Sequence, residues 1–109
     1  MAWLVREGDV LASAEVATTR RARRRGLLGR SHLEGVLVLQ PCRHVHTVGM
    51  RIPIDVAFCA DDGTVLHTAT MRRWRVSRYV PHAAFVVEAA SGSFDRWHLR
   101  TGDVLEVKG

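Results

Sequence analysis

Lysine is almost absent from this sequence. Of its sixteen basic residues, fifteen are arginine and only Lys108 is lysine. With eleven acids the formal net charge is +5, and a positive field draws anionic partners. A bias that complete toward arginine also follows from genome-wide base composition, so charge alone does not point to nucleic acid. Cysteine is sparse as well, with only Cys42 and Cys59. Two cysteines exclude a disulfide framework, and in a reducing compartment both are expected to stay as thiols. No apolar run approaches the ~20 residues that a membrane helix requires, so no membrane insertion is expected. Met1–Val5 is too short for a signal-peptide core and lacks a basic start and a small-residue cleavage site. The expectation is a cytoplasmic protein. Also missing are a Gly-x-Gly-x-x-Gly or Walker-type loop and a Cys-x-x-Cys cluster. None of Ser13, Ser31, Ser77, Ser91 and Ser93 sits in a nucleophile elbow. No cofactor is expected.

What is present suffices for a core. The chain has 109 residues, 47% of them hydrophobic, which suggests one domain over residues 1–109. A chain of that length buries roughly 65% of its unfolded surface. Ala2–Val5 and Val10–Ala12 flank Glu7-Gly8-Asp9 as a hairpin, with Glu15–Ala17 continuing the second strand. Thr18 or Thr19 is a helix N-cap, and Gly26 a stop. The arginines between them leave no apolar stripe, so this helix is short and superficial. Val36–Leu39 reads as a fully buried strand ended by Pro41, and Arg43–Val48 as extended. Ile54–Cys59 and Val65–Met71 flank the turn Asp61-Asp62-Gly63. Arg72–His82 is a basic loop, Ala84–Ala90 a strand, Gly92–Leu99 a loop or single helical turn, and Val104–Val107 the last strand. About eight short strands with one short helix indicate a mainly β, small single-domain β-barrel or sandwich.

Several motifs recur in a characteristic order. Thr19, Arg23 and Gly26-Leu27-Leu28-Gly29-Arg30 come first. His46-Thr47, Met50 and Pro53-Ile54-Asp55-Val56-Ala57-Phe58 form a central block. Asp62-Gly63, Trp74-Arg75, Val87-Glu88, Gly92 and Gly102-Asp103 follow. With this ordered set the chain resembles the domain-of-unknown-function 192 family, small uncharacterised prokaryotic proteins, over nearly its whole length. The resemblance implies a mainly β fold with one short helix. It implies no reaction, because none is assigned to the family.

The acids mark the first candidate site. Alternation along an extended chain puts Asp55, Ala57 and Cys59 on one face of their strand, and Val86 and Glu88 on one face of theirs. If these faces converge, Asp55 and Glu88 flank a cleft with His46, and paired acids of unequal pKa can do acid–base work. The structural alternative is that each carboxylate caps a loop amide or pairs with Arg23 or Arg30. The expected ligand-binding set is Arg30, His46, Met50, Asp55 and Glu88, in a small binding module for an unknown small ligand or protein partner. An acid–base or metal-dependent hydrolase is the second reading. His44 and His46, about 6.5–7 Å apart along an extended segment, are its candidate metal ligands, and a third would have to come from Asp55, Glu88, His67 or Cys59. The third reading is electrostatic nucleic-acid binding through Arg20, Arg24, Arg72, Arg73, Trp74 and Arg75, without a recognisable motif to support it. A bland role for Trp74 is to lid the barrel end with its ring packed.

Overall fold

The computed structural model describes residues 2–109; Met1, which heads the segment read for a signal sequence, lies outside the described residues. Seven strands and two short helices follow in the order β1 (Ala2–Arg6), β2 (Asp9–Ala17), α1 (Arg20–Arg25), β3 (Val36–Leu39), β4 (Ile54–Cys59), β5 (Val65–Met71), β6 (Phe85–Ala90), α2 (Ser93–Trp97) and β7 (Leu105–Lys108). They form one sheet of order β5-β4-β6-β3-β2-β1-β7. The pairing of β2 with β3 is parallel, and the other pairings are antiparallel.

The sheet curls into a half-barrel until its outermost strands meet. Thr64, just before β5, bridges to Val104, just before β7. Val65 N–H donates to the Asp103 carbonyl at 2.8 Å, and Leu105 N–H to that of Gly63 at 2.9 Å. Gly63 permits this closure. Its φ is +92°, and a Cβ there would run into the Leu105 carbonyl. The turn is completed by Asp62, whose Oδ1 accepts from Thr64 N–H at 3.0 Å.

The middle strands are covered on both sides. All of β3 and β4, and all of β6 but Ala90, are buried. They therefore read as near-continuous apolar runs, broken only by Asp55 in β4 and Glu88 in β6. The concave face packs Leu4, Val38, Ala57, Val87 and Leu105 with Phe94 of α2. The convex face packs Leu39, Val56, Phe58 and Val86 under Leu27, Val45 and Met50. Thr19 caps α1 as expected, its Oγ1 accepting from Ala22 N–H at 3.0 Å, and Gly26 ends it at φ +45°.

The architecture corrects several expectations. The fold is mainly β as expected, and the count of about eight short strands comes to seven because Arg43–Val48 finds no place in the sheet. It pairs instead with the loop from residue 72 to 80, including one bridge, His46 to Val76. Ser77 N–H donates to the Val45 carbonyl and Val80 N–H to that of Arg43, both at 2.8 Å. A second helix, α2, occupies the segment read as a loop or a single turn. Trp74 does not lid a barrel end: it is 60% exposed, at φ +61°. Among the described residues no helix is long and apolar enough to cross a membrane.

Candidate functional site

The two acids do not share a cleft. Across the β4–β6 pair Asp55 stands opposite Ala89, and Val56 stands opposite Glu88. Directly opposed residues share a face, so Asp55 belongs to the concave face and Glu88 to the convex one. The expected convergence of Asp55 and Glu88 with His46 is thereby overturned, and with it a two-carboxylate acid–base site.

Asp55 is consumed by the fold. Only 2% exposed, its Oδ1 accepts from Thr70 Oγ1 at 2.8 Å, and its Oδ2 accepts from the N–H groups of Gly92 and Phe94 at 3.0 Å each. This ties β4 to β5 and to the start of α2. The loop-amide alternative thus describes Asp55. Arg30 also leaves the expected set. Beyond the turn at Gly29 it points along the surface to β2, its Nη2 2.9 Å from Glu15 Oε2, with both side chains exposed.

The other three members, His46, Met50 and Glu88, line one cavity of about 780 Å³. It opens between α1 and the segment from Pro41 to Met50, with Tyr79 at the side. The tilted rings of His44 and Tyr79, 6.1 Å between centroids, form one wall. Leu27, Leu39, Val45 and Met50 supply apolar surface. Glu88 lies in the floor, 3% exposed, and makes no hydrogen bond or ion pair among the described residues. No fully sealed side-chain oxygen lacks a partner, so its carboxyl opens into the cavity. Burial pushes the Glu88 carboxyl up to about 7.

Cys42 also lines the cavity, its Sγ donating to the His44 carbonyl at 3.1 Å. Burial raises its pKa, and the nearby Glu88 charge adds to that, while backbone amides of His44 and Arg43 and the Arg23 charge favour the thiolate and oppose it. Such a thiol is not an activated nucleophile. Cys59 is buried on the concave face, and desolvation pushes it up to about 12. The two cysteines are free, as expected. For the metal reading, His44 and His46 both border the cavity. Among the described residues no three His, Cys, Asp or Glu side chains gather closely enough to hold a metal ion.

Residues not nominated for this pocket complete its rim: Arg23, Arg25, Leu28, Arg43 and Tyr79, together with Arg20 and Arg24, which had been assigned to nucleic acid. The signal for the α1 residues was available. A six-residue helix with arginine at every position but Ala22, placed just before Leu27 anchors it, must present those arginines beside whatever Leu27 covers. Arg72, Arg73 and Arg75 surround the exposed Trp74 outside this cavity.

Thr47 was singled out as part of a motif, but its role was not foreseen. Wholly buried, its Oγ1 donates to the Arg72 carbonyl at 2.6 Å and accepts from Arg75 N–H at 2.8 Å. Its carbonyl accepts from Met50 and Trp74 N–H. It clamps the arginine loop to the turn that carries Met50.

Two solved structures share this fold. A protein of unknown function from Novosphingobium aromaticivorans DSM 12444 matches with a TM-score of 0.83 and 22% identity, over 96% of this chain and 82% of that one. A protein from Sinorhizobium meliloti 1021, described as a candidate transcription regulator, matches with a TM-score of 0.80 and 22% identity, over 97% and 91% of the two chains. At that identity the likeness shows the fold alone. No curated protein matches. The model of the DUF192 family, described as an uncharacterized ACR, matches residues 3–107. The chain belongs to the DUF192 family, for which no function is indicated.

Proposed function

We propose that this protein is a small-ligand binding module whose site is the convex-face cavity floored by Glu88. One observation carries the reading. Glu88 is 3% exposed, has no hydrogen-bonding partner among the described residues, and faces a cavity of about 780 Å³. A carboxyl held in place by its buried strand and opening into a cavity is a fixed, directional polar partner for a ligand that reaches it. The size, and an apolar surface from Leu27, Leu39, Val45 and Met50 joined by polar and charged groups, are those of small-molecule sites.

The test uses N-phenyl-1-naphthylamine, a neutral apolar molecule that fluoresces on leaving water. Saturable binding that is lost in Leu28→Trp and in Val48→Trp, with unchanged melting temperatures, supports the reading. Both residues line the cavity and are 50% and 40% exposed, so a larger ring is tolerated there while it fills the space. Binding that is absent, or indifferent to both substitutions, contradicts it.

The Trp74 loop favours a second reading, contact with single-stranded nucleic acid. Its ring is 60% exposed among exposed Arg72, Arg73 and Arg75, a pairing of stacking surface and phosphate ligands. One structural neighbour is described as a candidate transcription regulator. Affinity for oligothymidylate that falls steeply with salt, and is lost in the Arg72→Gln/Arg73→Gln/Arg75→Gln triple variant, supports this reading. No binding at low salt removes it.

A further inference from the structure

We infer that the ligand of the Glu88 cavity carries an anionic head group, a carboxylate, sulfonate or phosphate ester, held by the arginines of its rim above an apolar body. The inference rests on the pocket reading and specifies the chemistry of what enters.

The charge around the opening is one-sided. Arg20, Arg23, Arg24 and Arg25 from α1 and Arg43 from the opposite side all line the cavity, and Glu88 in the floor is the one acid that does. None of these arginines forms an ion pair among the described residues, where the pairs belong to Arg6, Arg30, His32 and Lys108. Arg23 reaches only backbone carbonyls, of Thr18 and Gln40, and Arg43 only that of Ala83. Helix α1 has no acid in its first turn, so its like-charged arginines repel one another without an ion pair among the described residues to offset them. Guanidinium forks match carboxylate and phosphate oxygens in paired hydrogen bonds. A concave, low-dielectric wall strengthens the attraction and steers anions inward. A cationic ligand meets the opposite field.

The rest of the lining limits the anion further. Leu27, Leu39, Val45 and Met50 are buried apolar members of the same lining, against which free inorganic phosphate or a polyphosphate would lose its hydration without replacement. The molecule that fits therefore has a charged end and an apolar body.

Two probes differ only in charge: 8-anilino-1-naphthalenesulfonate and N-phenyl-1-naphthylamine share one skeleton, and the first adds a sulfonate. The sulfonate is expected to bind about tenfold more tightly. That advantage shrinks with salt and vanishes in Arg20→Gln/Arg24→Gln/Arg25→Gln, in which the two probes bind with similar affinity. Decanoate and decyl phosphate then compete for the bound sulfonate; the better competitor assigns a carboxylate or a phosphate head, and equal competition assigns both. Decanol competing as well as either overturns the role of charge. Equal affinity for the two probes, both blocked by Leu28→Trp, overturns anion selection and leaves the pocket reading standing. Binding of neither probe, or no block by Leu28→Trp, overturns both.

Discussion

Val56 on β4 faces Glu88 on β6 directly across the sheet, whereas Asp55, one residue earlier, faces Ala89. That single step separates two buried acids onto opposite faces and gives them opposite roles. Asp55 meets three donors; Glu88 meets none among the described residues and opens into a cavity.

Removing Asp55 is therefore expected to damage the fold. Asp55→Ala strands two backbone N–H groups and a hydroxyl, at a cost of about 3–5 kcal/mol. That is much of the stability of a domain this size. Urea unfolding checks it: the midpoint falls while the slope is retained. A loss below about 1 kcal/mol contradicts the clamp.

Glu88→Gln is expected to do the reverse, and only at high pH. The unfolded chain releases this proton near pH 4.5, the folded protein near 7. Between these values the folded state holds more protons, so stability is full below the lower value and falls as pH rises through the upper one. Once ionised, the buried carboxylate costs on the order of 3 kcal/mol. Glu88→Gln should melt roughly 10 °C higher than the parent at about pH 8.5 and no higher at about pH 4. Parallel pH profiles of the two proteins contradict this.

These two acids also mark the limit of what the sequence revealed. The bounds of β3, β4 and β5 are legible as apolar runs between turn residues, and the Thr19 and Gly26 signals frame α1. Alternation correctly sorts the residues of β4 and of β6 into faces. It does not say which face of one strand adjoins which face of the other. That is a matter of register, and a shift of one residue exchanges the faces. Likewise, nothing local to Arg43–Val48 reveals that its partner is the loop at residues 72–80 rather than a strand. Its pairing is long-range, and its apolar residues, Val45 among them, only show that it is covered.

The cavity makes the two thiols unequal. Cys42 lines it and is half-buried, while Cys59 is fully buried and pushed up to about 12. N-ethylmaleimide on the native protein should give a single adduct at Cys42, forming slowly because burial raises that thiol as well. A saturating cavity probe should slow it further. Intact-mass analysis that finds both cysteines modified, or neither slowed, contradicts this arrangement.

Thr47→Val keeps the shape and removes the hydroxyl that bridges Arg72 and Arg75. A loss of about 2 kcal/mol is expected. Amide exchange should accelerate at Trp74 and Arg75, with the concave-face strands β1 and β7 unchanged. Uniform acceleration throughout the chain contradicts a local clamp.

The most direct test of the binding reading is a titration of the isotope-labelled protein with 8-anilino-1-naphthalenesulfonate, followed through backbone amide resonances. Saturable shifts centred on α1, residues 41–50 and Glu88, with Asp55 and Gly92 unmoved, are expected. Shifts centred on the Asp55 face, or scattered without saturation, would show that the arginine-rimmed cavity is not the site.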